Sequence, residues 1–569
     1  MFDNLGKGKK ELSTEMRLLI AFLLMGLVLF VTPYLYKPAN STPPTGTQNI
    51  TPQKAVELAK PPAPAPIPTP AQIEASESAG PVQAAKEETF VVDTPIFRAT
   101  FSNRGAAVRS WVLKKYKDLN GKELELVNQS ALAKVPKPLS FEFRDQHPST
   151  DLTQALFAAK PTPDNLGIDY EYSDGKLIAR KSFRFAKNSY QSQVTSEVIQ
   201  NGVQIPHVLA WRGGFGDPTI HNAASAERNV YSAEGRLKTK TAKDAKNGPV
   251  TESGPFAFAG IEDSFFASVF LPKGTGNVQL VTYSDSIPTP PDNKEIAYVG
   301  AGVGSGGINQ FSLFVGPKDT DLLRQVDPRL EQLIDWGRFF GFIAKPLFFA
   351  LNWTNDRLTH NFGWAIVLVT IAINILTFPF RLTSLRSSKK MQALQPEVAR
   401  INEKYKGLSI RDPKKAEQNQ EMMALYKKHG VNPVGGCVPM LLQIPFFIAY
   451  YTVLTVAIEL RGAEWLWVHD LSRPEQLAIR VLPVLLIVTQ FLTQRLTPPS
   501  PGVDPSQQKM MMFMPLVLGF MFYYASAGLV LYWLTGNLVA IVQQWIMNRV
   551  TKVPVIETAR PVSKAKRKA

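Results

Sequence analysis

The sequence predicts a multi-domain membrane protein: six transmembrane α-helices, a large β-rich domain outside the cytoplasm, and a helical hairpin inside it. Two observations carry that prediction. The first is the placing of charge. Of a net charge of +16, +15 lies in four short segments, 1–17, 381–430, 495–509 and 549–569. With the N-terminus inside, six crossings put all four on the cytoplasmic side, as the positive-inside rule requires. The second is a change of texture. Residues 89–320 alternate short β-branched and aromatic runs with turn signals, whereas the residues after 320 return to helical patterns. A nucleic-acid binder would spread its basic residues over a folded domain, so DNA is not an expected partner.

The elements follow in order. Residues 17–36, RLLIAFLLMGLVLFVTPYLY, follow a basic start and are long enough to cross a ~30 Å hydrocarbon core. They exceed the usual h-region of a signal peptide and lack a nearby small-x-small cleavage site, so residues 1–37 read as an uncleaved signal-anchor. Residues 38–88, rich in Pro and Ala (PPAPAPIPTPAQ), read as an extended tether. The runs TFVVDTPIFRATF, KSFRFA, SQVTSEVI and SFFASVFLP, each followed by a turn signal, place a β-sandwich at 89–320. Residues 321–358 hold a linker and an aromatic helix, WGRFFGFIAKPLFFALNW, interrupted by Arg338 and Lys345. That pattern suits a helix lying along the membrane surface. The further spans are expected at about 362–380, 438–458, 478–496, 510–526 and 528–547, within a core at 359–550, and a basic tail closes the chain at 551–569.

The segment 381–430 predicts an antiparallel helical hairpin. Met391, Leu394, Val398, Ile401 and Tyr405 form a seam at alternating three- and four-residue steps. Gly407 ends the first helix, Asp412-Pro413 starts the second, and Gly430 stops it.

The spans carry amides and hydroxyls in stripes. Thr370, Asn374, Thr377 and Arg381 fall within roughly 60° of one another on a helical wheel, and Ser384 continues the line. The fourth span carries Thr489, Gln490, Thr493, Gln494 and Thr497. The last carries Asn537, Gln544 and Asn548, with Trp533 a turn above Asn537. In the third, Gln443 is stacked over Phe447 and Tyr450. Two readings fit: polar glue between helices, at ~0.6–2 kcal/mol each, or a water-filled cavity where the stripes meet. The amides gather toward the cytoplasmic halves, as a cavity open inward and sealed outward would require.

The missing chemistry is informative. Residues 431–458, 481–494 and 510–548 contain no Asp, Glu, His, Lys or Arg, so no mid-membrane proton relay or nucleophile is available. The six histidines are scattered singly, the one cysteine, Cys437, excludes an intrachain disulfide, and no Walker loop is present. The expectation is a protein that is not an enzyme and has no catalytic residue, metal or cofactor. Met422 and Met423 in the hairpin, and the methionines at 510, 511, 512, 514 and 521, are flexible apolar surfaces or ordinary packing.

LQPEVARINEKYK, EMMALYKKHGVNPVGGCVPMLLQIPFFIAYY, WVHDLS, DPSQQKMMMFMP and SAGLVLYWLTGNLVAIVQQW resemble the YidC/Oxa1/Alb3 insertase family, strongly over residues 330–550. The six-span plan is similar to the Gram-negative form of that family, with its periplasmic β-supersandwich and five-helix insertase core. The resemblance implies a chaperone that inserts and helps fold integral proteins of the inner membrane, alone or with the Sec translocon. It implies nascent membrane proteins and the lipid bilayer as partners, while the basic end KAKRKA suits either electrostatic contact with ribosomal RNA or a role in topology and anionic-lipid contact. It also implies a hydrophilic groove, open to cytoplasm and lipid, that involves Thr370, Asn374, Ile444, Phe447 and Trp533. With the stripes, the candidate groove residues are Thr370, Asn374, Thr377, Arg381, Gln443, Ile444, Phe447, Gln490, Trp533 and Asn537. Met391, Met422 and Met423 are the candidate contacts on the hairpin. The family commonly has an arginine where this chain has Asn374, and Arg381, two turns nearer the cytoplasm, is the expected substitute. The alternatives from other classes are a channel or solute transporter and an anchored periplasmic enzyme.

Overall fold

The computed structural model describes residues 80–550 apart from 221–222, 275, 290–293, 338, 408–411, 413, 431–437 and 497–504. The expected signal-anchor, most of the tether, Cys437 and the basic tail lie outside the described residues.

The β-rich domain is built from three antiparallel sheets. The largest runs in the order Arg236–Lys240, Arg228–Ala233, Ala259–Glu262, Phe266–Pro272, Asn309–Pro317, Gln191–Gln200, Leu177–Phe185, Gly167–Ser173 and Ala158–Pro161, with Val203–Gln204 attached to Gln191–Gln200. Its strands obey the two-residue period that buries one face. In Gln191–Gln200, for example, Ser192, Val194, Ser196 and Val198 point inward. A four-stranded sheet and a five-stranded sheet cover that face. Phe101 meets Phe183 at 4.9 Å between ring centroids, and Phe97 meets Phe185 at 5.8 Å, joining the four-stranded sheet to the largest. Asn229 Nδ2 donates to Gly300 O at 2.8 Å, joining the five-stranded one. The runs picked out in the sequence all contribute strands. Residues 82–88, read as the end of the tether, already lie against this domain: Val82 pairs with Ser173, and Glu87 with Arg104 at 2.8 Å.

The helical part begins with α1 (Thr320–Val326) and α2 (Gly341–Thr354). It continues with α3 (Phe362–Ala393), α4 (Gln395–Lys404), α5 (Lys414–Lys428), α6 (Val438–Val456), α7 (Val481–Leu496), α8 (Pro505–Phe522) and α9 (Ala527–Val550). α9 packs on α3 and α7, α8 on α7, and α2 on α6 and α3. Among the described residues two segments, Phe362–Thr383 and Ala527–Met547, are long and apolar enough to cross a membrane. Gln443–Val456, Val481–Leu496 and Phe513–Phe522 are shorter apolar helices. α2 leaves Phe342, Phe349 and Trp353 exposed along one side.

The hairpin departs from the expected pair of separate helices in one respect. α3 runs unbroken from the first of these apolar segments to Ala393. The break comes at Leu394, because Pro396 in the first turn of α4 has no amide hydrogen to continue the ladder. Met391, Leu394 and Val398 are buried with Tyr426, and Met422 and Leu425 pack against them. Gly407 (φ +86°) follows α4 and Gly430 (φ +62°) follows α5, both in the left-handed region that glycine reaches without strain. Asp412 Oδ1 accepts from Lys414 N at 3.0 Å and starts α5.

Candidate functional site

α3 and α9 run from the β domain toward the hairpin side, as does α7, and α6 runs back. Between them lies a cavity of about 250 Å³, room for several waters. Asn374, Thr377 and Arg381 line it from α3, Gln443 and Phe447 from α6, and Gln490 and Thr493 from α7. Tyr532, Trp533, Gly536, Asn537 and Ala540 line it from α9.

The stripe on α3 exists because its polar side chains first satisfy themselves on their own helix. Thr370 Oγ1 donates to Ile366 O at 2.6 Å, Asn374 Nδ2 to Thr370 O at 2.8 Å and Thr377 Oγ1 to Ile373 O at 2.9 Å. Such bonds to the carbonyl four residues back lower the cost of holding a polar group in an apolar helix. Asn537 instead ties two helices, donating to Gln490 Oε1 at 2.9 Å and Thr489 Oγ1 at 3.3 Å. Gln443 Nε2 donates to the Tyr532 hydroxyl at 3.2 Å. Some of these bonds are thus interhelical, and Asn374, Gln443, Gln490, Tyr532 and Asn537 border one common space.

The cavity is graded along its length. Toward the β domain it ends in aromatic rings. Trp533 lies edge-to-face on Phe447 at 4.9 Å and on Phe522 at 4.7 Å, while Tyr450 stacks on Tyr532 at 4.4 Å. Toward the hairpin it is lined by Thr377, Arg381, Gln443 and Thr493. Arg381 Nη1 donates to Gln543 Oε1 at 3.1 Å, and Gln543 Nε2 donates to Asn374 O at 3.3 Å. Among the described residues Arg381 has no carboxylate partner, and it is the single charge on the cavity wall.

Eight of the ten groove residues expected from the sequence line this cavity. Thr370 does not: it is fully buried a turn beyond the wall. Ile444 does not either. It is 41 % exposed and stands outside the wall that Gln443 and Phe447 form. On the hairpin, Met391, expected as a contact, is buried in the small core. Met422 packs at the edge of that core and Met423 is 57 % exposed. Their places follow from the seam period, which reserves position 391 for packing.

The sequence reading passed over Tyr532, Gly536, Ala540 and Gln543. Gly536 and Ala540 are four apart on the face that carries Asn537, and small side chains there leave the space open. That spacing was the available signal. Gln543 is one residue from Gln544, which the stripe had selected; helix rotation brings the earlier of the two to Arg381.

Residues 89–350 match the family model described as the YidC periplasmic domain, and residues 353–554 the one described as the 60Kd inner membrane protein. The membrane protein insertase YidC of Syntrophus aciditrophicus is 32 % identical over 571 residues, 94 % of this chain and 99 % of its own length. That of Ralstonia nicotianae is 35 % identical over 486 residues, covering 82 % of this chain and 84 % of its own. A solved structure of an active YidC insertase with its first transmembrane domain resolved is 18 % identical, with a TM-score of 0.34, over 82 % of this chain and 94 % of that one. On the two family models and on relatives matched along nearly their whole length, the chain belongs to the YidC family of membrane protein insertases.

Proposed function

We propose that this chain inserts membrane-protein substrates into the inner membrane through the cavity between α3, α6, α7 and α9, and assists their folding. In this reading six spans cross the bilayer with both termini in the cytoplasm, and the β domain is periplasmic. The Sec translocon and the ribosome are partners in the same reading. The observation that carries it is the gradation of the cavity, with amides, hydroxyls and one arginine at the hairpin end and closed aromatic packing at the other.

The physical task is to bring a short polar tail across hydrocarbon while an apolar segment slides into lipid. A charged residue at the centre of a membrane helix costs ~2.5–3.5 kcal/mol on the insertion scale. A hydrated recess reaching partway across shortens that barrier, and transfer of the apolar segment to lipid drives the step. Asn374, Gln443, Gln490 and Asn537 offer the tail hydrogen bonds in place of water, and Arg381 offers an acidic tail a counter-charge. The hairpin receives the substrate first, with Met423 as its exposed apolar contact.

Photocrosslinking from positions 374, 447 and 533 to a stalled nascent membrane protein tests the reading. Crosslinks from all three are expected. Adducts confined to the hairpin, together with ion or solute conductance by the reconstituted protein, would instead mark a channel.

A further inference from the structure

The loop between α6 and α7, residues 457–480, holds together the ends of all the cavity helices on the β-domain side. It continues α6. Leu471 O and Arg473 O accept from Gly528 N at 2.9 Å and Ala527 N at 2.6 Å, the otherwise unpaired first amides of α9. Trp465 packs edge-to-face on Trp364 at 5.6 Å near the start of α3, and Glu464 O accepts from Asn361 Nδ2 at 2.8 Å. A Cβ at Gly363 would lie 2.2 Å from the Trp465 ring, so no other residue allows this approach. Glu475 accepts from Leu482 N at 2.8 Å, at the start of α7, and Arg480 bonds to Tyr523 O just beyond α8.

This loop is fastened to the β domain at one carboxylate. Asp217 Oδ2 pairs with Arg461, and with Arg473 at 3.4 Å; the three side chains are 0 %, 3 % and 13 % exposed. Arg461 Nη2 also donates to Lys117 O at 3.0 Å. Among the described residues its Nε and Nη1 have no acceptor, and its guanidinium lies 5.2 Å from the Phe266 ring centroid. On the far side, Asp217 N donates to Asp263 Oδ2 at 3.2 Å and Asp217 Oδ1 accepts from Thr219 N at 2.9 Å, which fixes the carboxylate within its own domain. Removing Asp217 leaves the buried Arg461 without a counter-charge, a change that costs a fold heavily, whereas Arg473 keeps Asp470 at 3.1 Å within the loop.

We propose that Asp217 is a positioning residue. Through Arg461 and Arg473 the β domain pins the 457–480 loop and so keeps the aromatic end of the cavity shut. The inference does not depend on the insertion reading, since it concerns closure and is read without any substrate.

The experiment compares Asp217→Asn, Asp217→Glu and Arg461→Met in the full-length protein, reconstituted in lipid, by hydrogen exchange and by proton leak across sealed vesicles. Asp217→Asn is expected to speed exchange in 457–475 and 525–530 at least tenfold, and to raise the leak several-fold. Strands 177–200 and hairpin 395–428 should be unchanged. Asp217→Glu should recover most of both. Arg461→Met approaches the same clamp without altering the β domain, and should loosen the same two segments. If Asp217→Asn also exposes strands 177–200, Arg461→Met alone decides. Unchanged exchange in 457–475 and 525–530 with Arg461→Met overturns the clamp, and loosened segments without added leak overturn its role in closure.

Discussion

Arg381 on α3 reaches Gln543 on α9, 3.1 Å away, and the same glutamine returns a bond to the carbonyl of Asn374 at 3.3 Å. The one charge that the described residues place on the cavity wall is thus held by a neutral amide, which orients it without cancelling it. The resemblance to a family that commonly carries arginine at the position of Asn374 made Arg381 the expected substitute. We predict that Arg381→Ala lowers insertion of substrates with acidic tails about tenfold and leaves neutral-tailed ones nearly unchanged, with Arg381→Lys intermediate. Equal insertion of both classes by Arg381→Ala would remove the electrostatic role.

The Asn537–Gln490 bond makes a second prediction. Asn537→Leu breaks a tie between α9 and α7 worth ~0.6–2 kcal/mol, and the pairwise part should emerge from a double-mutant cycle with Gln490→Leu. Additive losses in thermal stability would show that the two amides do not bond.

In the hairpin, packing and contact should separate cleanly. Met391→Ala removes a buried side chain and should cost the hairpin ~2–5 kcal/mol, seen as faster exchange across 391–428. Met423→Ala should leave that exchange unchanged and weaken substrate crosslinking there. The reverse pattern would mean that the seam faces the substrate.

A pH effect is expected outside the spans. Burial, with Asp319, Asp321 and Asp356 nearby, pushes the Glu459 carboxyl up to about 7. The folded protein therefore holds this proton more tightly than the unfolded chain, and the stability it lends is lost as pH rises from about 4.5 through 7. Glu459→Gln should raise the thermal midpoint at pH 8 and change it little below pH 4. A uniform shift at both values would argue against titration of this group.

Much of this architecture was legible because it depends on period. Alternation placed strands around Val194 and Phe183, and the seam placed Leu394 and Val398 in one small core. The wheel through Asn374, Thr377 and Arg381 found one wall of the cavity. What escaped depends on contacts between distant segments. No local pattern distinguishes Gln543 from Gln544, or shows that Gly363 makes room for Trp465. The pairing of Asp217 with Arg461 spans 244 positions and has no periodic signature. Ile444 was carried over from the family likeness alone, and it stands outside the cavity wall.

The 32 residues of α3 join the cavity to the hairpin without a loop between them. Hairpin and cavity wall are consequently one lever, ~48 Å long at 1.5 Å per residue. Its one weak point is Pro379, which falls between Asn374 and Arg381 and withholds an amide from the Ile375 carbonyl. A bend at that joint would shift Arg381 relative to Asn374 without unwinding either half of the rod.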